Sequence, residues 1–240
     1  MEKKSRITKE KRGFLATTLR RIKKLLLFLF IFQLFYIIIL KWIDPPITIT
    51  QMSSLMSGEG LKRDYVSYDM ISYNMKLAAI ASEDQLYPDH SGFDWKSIKK
   101  AMAYNQRKPN RIRGASTISQ QVAKNVFLWQ GRDWVRKGLE AYFTKMIEWI
   151  WGKKRILEVY LNVIETGKGV YGVEAASRKA FNISARKLSR YQAALIAATL
   201  PNPTRFTIKP LSRFTAIKAP WIIQQMNHLE GDPDIQKVIN

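Results

Sequence analysis

Beyond residue 40 the chain holds seventeen acidic side chains against thirty Lys and Arg, so each carboxylate there is a candidate for work that needs a base or an acid. The first is Glu83, in Ala81-Ser82-Glu83-Asp84-Gln85-Leu86-Tyr87-Pro88-Asp89-His90-Ser91-Gly92-Phe93-Asp94. It follows a run of small and apolar residues, Asn74 to Ala81, with the composition of a buried helix. A carboxylate set against low-dielectric walls has its pKa raised and can accept a proton near neutral pH. The same residue also reads as decoration of a helix end, although the helix dipole disfavours a carboxylate at a C-terminus.

The second group is Arg111-Ile112-Arg113-Gly114-Ala115-Ser116-Thr117-Ile118-Ser119-Gln120-Gln121-Val122-Ala123-Lys124-Asn125. A glycine turn feeds a helix N-terminus rich in hydroxyls, where orphan N–H groups and the dipole favour an anion. Gln121, Lys124 and Asn125 stand at i, i+3 and i+4, on one face of that helix. An ordinary capped helix with solvated polar residues explains the same text. The third group is Gly131-Arg132-Asp133-Trp134-Val135-Arg136-Lys137-Gly138-Leu139-Glu140. Glu140 is either a second working carboxylate or one half of an i, i+4 pair with Arg136.

The elements that must position these groups are helical. Asp94 caps a helix with an apolar face of Trp95, Ile98 and Met102. Thr117 and Gln120 form a capping box that opens a helix through about Leu128. Val135, Leu139, Tyr142, Phe143, Met146 and Ile150 make an apolar helical stripe. A short basic helix follows over Lys153 to Leu161. Ser189 and Gln192 open another, which Pro201 stops, and residues 215–229 suggest a last one. Strand alternation is nearly absent, and residues 47–73 show no clear period.

Residues 25–40 read LLLFLFIFQLFYIIIL, and the predicted transmembrane span is 25–43, about 28 Å at ~1.5 Å per residue. The basic tail of residues 1–24 carries ten Lys and Arg and two acids, which predicts a cytoplasmic N-terminus and a domain outside the membrane. A cleaved signal peptide is the other reading, but the apolar region is long and lacks a small-residue cleavage site. The expected organisation is therefore 1–24 tail, 25–43 membrane helix, 44–73 linker or membrane-proximal segment, and 74–240 functional domain. Lys62, Arg63, Tyr65 and Tyr68 in the linker suit either a headgroup-level contact or plain solvation. The absence of cysteine removes disulfides, thiolate metal sites and cysteine nucleophiles. The basic excess outside the span calls for an anionic partner: nucleic acid, a membrane surface or a phosphorylated substrate.

Order and spacing are more specific than any one group. The outer part, over about residues 70–210, resembles the family-51 glycosyltransferases, the peptidoglycan transglycosylases. The resemblance rests on Glu83-Asp84-Gln85-Leu86-Tyr87 with His90-Ser91-Gly92-Phe93-Asp94, and on Gly114-Ala115-Ser116-Thr117-Ile118-Ser119-Gln120-Gln121 with Lys124-Asn125. It continues in Arg136-Lys137-Gly138-Leu139-Glu140, Ile156-Leu157-Glu158-Val159-Tyr160-Leu161-Asn162, Tyr171-Gly172-Val173-Glu174-Ala175-Ala176 and Leu200-Pro201-Asn202-Pro203. Two departures are mild: Ala115 stands where many relatives have a second glycine, and Leu86 where an aromatic is usual.

The resemblance implies a mostly α, lysozyme-like two-lobed helical domain behind a single N-terminal transmembrane helix. It also implies a periplasmic or extracytoplasmic enzyme of the bacterial inner membrane that polymerises lipid II with inversion. Its substrates would be lipid II and the lipid-linked growing glycan chain, with the membrane and other cell-wall synthesis proteins as partners and no nucleic acid. Glu83 matches the family's general base, and Glu140 its second essential acid. Lys124 and Arg132 match the diphosphate-binding positions, with Ser116, Thr117, Gln121 and Asn125 as nearby hydrogen-bonding residues. No cofactor is required by the resemblance; Mg2+ or Mn2+ assisting the diphosphate stays open, and no metal ligands are assigned. With no transpeptidase domain following, a monofunctional member is expected. A glycan-cleaving lysozyme-like enzyme and a non-enzymatic, basic, membrane-tethered binding module are the competing readings. His90 is either a partner of Glu83 or a structural loop residue, and Glu158, Asn162, Tyr171 and Glu174 are expected to hold the cleft together.

Overall fold

The computed structural model describes residues 2–110, 113–131 and 133–240, with side-chain exposure from residue 16 onward. Two compact units divide the chain, Met1–Ile43 and Asp44–Asn240. The first is one helix, α1 (Glu2–Ile39). Its stretch Ala16–Ile39 is long and apolar enough to cross a membrane, and most of its Leu, Ile and Phe side chains point outward. A helix that is apolar all round finds no aqueous face and belongs in lipid. The regular helix ends sooner than the expected span, but its hydrogen bonding continues from Ile43 N–H to the Ile39 carbonyl at 3.0 Å. Pro45 and Pro46 then stop it, since neither offers an N–H.

The second unit is mostly helical, as expected. In chain order it holds α2 (Ile49–Met56), β1 (Lys62–Arg63), α3 (Tyr73–Glu83), α4 (Trp95–Arg107), α5 (Ile118–Phe127), α6 (Trp134–Ile150) and α7 (Lys153–Val163). Then come β2 (Glu165–Gly167), β3 (Val170–Tyr171), α8 (Val173–Phe181), α9 (Arg190–Thr199), α10 (Arg213–Leu229) and α11 (Pro233–Ile239). Helix α3 is buried from Met75 to Ala81, and α9 from Ala193 to Thr199. Alanines on both let the backbones approach, and α10 packs against the pair. A second group joins α5 to α6 and α7, and α7 also touches α3. The capping boxes at Thr117–Gln120 and Ser189–Gln192 are both formed.

The stretch 47–73 holds more structure than its lack of period suggested. Thr48 and Gln51 form a third capping box, which opens α2. Strand β1 pairs parallel with β3, Lys62 opposite Val170 and Arg63 opposite Tyr171, while β2 pairs antiparallel with β3. The Arg63 guanidinium donates to the Pro45 carbonyl at 3.2 Å, and Arg155 pairs with Asp44 at 3.1 Å, tying the exit segment to the domain. Tyr68 is buried, with its hydroxyl donating to the Val238 carbonyl at 2.6 Å, so it holds the domain together rather than meeting headgroups.

The expected apolar faces are only partly covered: α4 buries no residue, and on α6 Tyr142, Phe143, Met146 and Ile150 are half-buried. Trp95 and Met102 of α4, and Val135 and Leu139 of α6, are exposed. The buried residues of α6 are Arg136, Glu140, Thr144 and Ile147. Apolar periodicity marked α6 but not the buried Arg136–Glu140 pair beside its stripe, where each charge is held by the other.

Candidate active site

A cleft of about 1190 Å³ is lined by α2, the end of α3, α4 and α5, with residues after α7 and α9. Glu83 ends α3 at its floor, and its surroundings follow from local sequence. Gln85 Nε2 donates back to the Ala81 carbonyl at 3.1 Å, closing the helix. Glu83 Oε2 accepts from Gln121 Nε2 at 2.9 Å, and Oε1 accepts from Ser82 Oγ at 3.2 Å. The buried Tyr160 hydroxyl donates to Gln121 Oε1 at 3.4 Å, which turns the amide nitrogen towards Glu83. Burial raises the Glu83 pKa above the ordinary carboxylate value, and the two donated hydrogen bonds and Lys218 on α10 partly offset this. The predicted apolar setting of Glu83 is therefore real, and it comes from helix packing on α9 and α10 as well as from α3 itself.

Asp84 is buried beside it with a different task. Its Oδ1 lies 2.9 Å from His90 Nε2, and its Oδ2 accepts the Ile118 N–H, the first of α5, at 3.0 Å. His90 Nδ1 accepts from the Gly92 N–H at 3.2 Å, so Nε2 carries the proton that Asp84 receives. His90 is thus the structural loop residue of the two readings. Gly92 has φ +91°, and a Cβ there would stand 2.6 Å from Thr144 Cγ2. This glycine lets the loop close on α6 while its carbonyl accepts from Thr117 Oγ1 at 2.7 Å.

The N-terminus of α5 is not an open anion site. Thr117 N–H donates to Gln120 Oε1, Ile118 N–H to Asp84, and Gln120 N–H to Thr117 Oγ1. Thr117 lines the cleft with its hydroxyl already engaged, whereas Ser116 is exposed to it. Lys124 and Asn125 line the same cleft from the next turn. Burial lowers the Lys124 pKa; Glu140 acts to raise it, while Arg136 and Lys137 lower it. Lys124 makes no ion pair with the described residues, so its charge faces the cleft uncommitted.

Glu140 does not line the cleft formed by the described residues. It is buried on α6, with Oε2 accepting from Arg136 at 2.8 Å and Oε1 from Lys137. It forms the expected i, i+4 pair with Arg136, and its charge also acts on Lys124. Arg132 lies outside the described residues. The sequence reading passed over Lys96, Lys100 and Tyr104, which with Arg113 line the wall formed by α4 and the segment before α5. The Arg113 guanidinium stacks 3.8 Å above the Tyr104 ring, and Asn105 brackets its backbone with two hydrogen bonds. The i, i+4 spacing of Lys96 and Lys100 was the available signal. A Mg2+ or Mn2+ site would need free carboxylates near Lys124. Glu140 has cations on both oxygens, and no group of three or more His, Asp or Glu stands together among the described residues. These described residues do not form a metal cage.

The transglycosylase family model matches residues 49–227, which include every cleft residue named above. Biosynthetic peptidoglycan transglycosylases from Shigella boydii serotype 4 (strain Sb227), Escherichia coli O139:H28 (strain E24377A / ETEC) and Escherichia coli (strain K12 / DH10B) are similar to this chain. Each is 58% identical over 174 residues, 72% of this chain and 72% of the relative. The chain belongs to the transglycosylase family. It is an enzyme of glycosyl transfer with an apolar N-terminal helix for membrane association. In this transglycosylase, Glu158 and Asn162 of α7 and Glu174 of α8 tie neighbouring segments together, while Tyr171 lines the cleft. Glu158 accepts the Tyr68 N–H at 2.8 Å, Asn162 bonds both backbone groups of Val66, and Glu174 receives Arg178 and the Ala185 N–H.

Proposed function

We propose that the chain is a peptidoglycan glycosyltransferase that polymerises lipid II with inversion, on the outer side of the cytoplasmic membrane. Glu83 removes the proton from the acceptor sugar's 4-hydroxyl as that oxygen attacks the anomeric carbon of the donor. The bond from that carbon to the diphosphate breaks, and the polyprenyl diphosphate leaves with the electron pair. Lys124 and Arg132 offset its charge, and Ser116, Gln121 and Asn125 supply hydrogen bonds; the geometry favours a capping role for Thr117. Glu140 acts indirectly, by holding the charge of Lys124. The N-terminus is cytoplasmic, set by the basic residues ahead of the apolar helix. A tether at the bilayer suits substrates whose polyprenyl tails stay in it.

One observation carries this reading. Gln121, a turn away from Lys124 on α5, donates directly to Glu83 at 2.9 Å, which brings a half-buried carboxylate and an uncommitted cation together at one short wall. A base near an ammonium suits attack by a hydroxyl and departure of a phosphate. The test is incubation of the detergent-solubilised chain with labelled lipid II, with and without moenomycin, followed by separation of products by length. Moenomycin-sensitive polymer supports the proposal. Release of fragments from finished glycan, with no polymer from lipid II, would replace it with the glycan-cleaving reading.

A further inference from the structure

Helix α10 has a surface that glycosyl transfer does not explain. It buries Thr215, Ala219, Ile222 and Met226 on one side. The opposite side of its first turns is apolar too: Phe214 is 38% exposed, Ile217 65% and Trp221 39%. Surface helices normally turn a polar face outward, and a contiguous exposed apolar patch marks a contact surface. The patch continues onto the preceding loop through Leu211, 50% exposed, and through Phe206, stacked on Phe214 with ring centroids 3.8 Å apart.

Charge identifies the occupant. Residues 200–229 contain no Asp or Glu and four cations, Arg205, Lys209, Arg213 and Lys218. The first three are exposed and enter no ion pair among the described residues. Lys218 lies over the Trp221 ring at 3.2 Å. Aromatic and aliphatic side chains ringed by uncommitted cations suit the boundary between acyl chains and anionic headgroups. A second copy of the chain fits poorly, because a self-paired patch would bring the same cations together. The apolar helix α1 supplies a reason for a bilayer to be at hand.

We propose that this face of α10 docks on an anionic lipid surface. Phe214, Ile217 and Trp221 enter the acyl boundary, and Arg205, Lys209 and Arg213 meet the phosphates. The chain contains no cysteine, so Ile217→Cys in the full chain gives one site for a nitroxide label, at a position whose side chain is mostly in the open. His228→Cys, exposed at the far end of the helix, is the reference. The labelled protein is reconstituted into phosphatidylcholine vesicles with and without phosphatidylglycerol, and collisions with oxygen and with a water-soluble nickel chelate are measured. In the anionic vesicles, oxygen should dominate at position 217 and the chelate at 228. Changing Arg205, Lys209 and Arg213 to Gln should weaken the docked population about five-fold per cation at low salt. A label at 217 that stays open to the chelate in anionic vesicles overturns the proposal. So does one shielded from both reagents with spin–spin broadening that grows with protein density, which would reveal a second copy. Burial unchanged in the triple variant overturns it as well.

Discussion

Gln121→Met separates the two roles that Gln121 can play. In the structure its amide nitrogen donates to Glu83 Oε2 at 2.9 Å, while the 3.2 Å contact from Ser82 serves the other oxygen. Methionine keeps the length and removes the donor. A hydrogen bond to a charged group is worth about 1.5–3 kcal/mol, and about 1.4 kcal/mol is a factor of ten. Loss of the bond should therefore cut the ratio of ionised to neutral Glu83 by about ten- to a hundredfold at any pH on the acid side of its titration. The direction follows from the causes already acting there. Burial raises the Glu83 pKa and Gln121 lowers it, so removal raises it further. The proposed base would work ionised, so the acid limb of the rate profile should move to higher pH. The assay is kcat/KM for lipid II polymerisation across pH, on wild type and variant. Tyr160→Phe, which frees the amide to rotate, should shift the limb in the same direction by less. A uniform fall in rate with the limb unmoved would refute the reasoning, and would place Gln121 on the substrate instead.

Glu83→Gln should lower polymerisation by about 10²–10⁴-fold, the usual worth of a general base, with lipid II binding retained. The same variant should melt higher than wild type near neutral pH. A raised folded-state pKa gives stability below the unfolded value that is lost as pH rises through the folded one, so the difference should close in acid. Glu140→Gln should destabilise by about 3–5 kcal/mol, because it leaves the buried Arg136 without its counter-charge; Arg136→Met with Glu140→Met should recover melting temperature without recovering polymerisation. Gly92→Ala should cost about 1–3 kcal/mol in denaturant melts, through a left-handed φ and the clash with Thr144. An unchanged midpoint there would mean that the loop has another conformation.

The helices of the domain were legible because their signals are local. Thr117 with Gln120 and Ser189 with Gln192 state a cap in four residues, and Pro201 closes α9 by its missing N–H. The same signal stood at Thr48 and Gln51, but no long apolar stripe follows it, and α2 went unnoticed. Faces were harder to read. Glu140 sits on the buried side of α6 because Arg136 and Lys137 compensate it, and Val135 and Leu139 are outside as a result. A hydrophobic count treats buried ion pairs as surface and cannot foresee that inversion. The cleft itself was legible only as residue types. Nothing in the spacing told that the Asp84 side chain, rather than a ligand, would take the Ile118 N–H, or that Lys218 from another part of the chain would act on Glu83.

Those two placements bear on how the site titrates. With the first N–H groups of α5 engaged by Gln120, Asp84 and Thr117, the proposed diphosphate would be met by side-chain cations, which titrate where a backbone dipole does not. Burial raises the Glu83 pKa and lowers that of Lys124, so the pH interval in which both are charged is narrower than for the free side chains. A bell-shaped profile follows, with its acid limb from Glu83 and its basic limb from Lys124. Glu140 is what acts to raise the Lys124 pKa, against burial and against Arg136 and Lys137. Glu140→Gln should therefore move the basic limb to lower pH and leave the acid limb in place, the opposite side of the bell from Gln121→Met. A basic limb that stays fixed in the Gln variant would show that the essential charge is not that of Lys124, and would return Glu140 to a purely structural part.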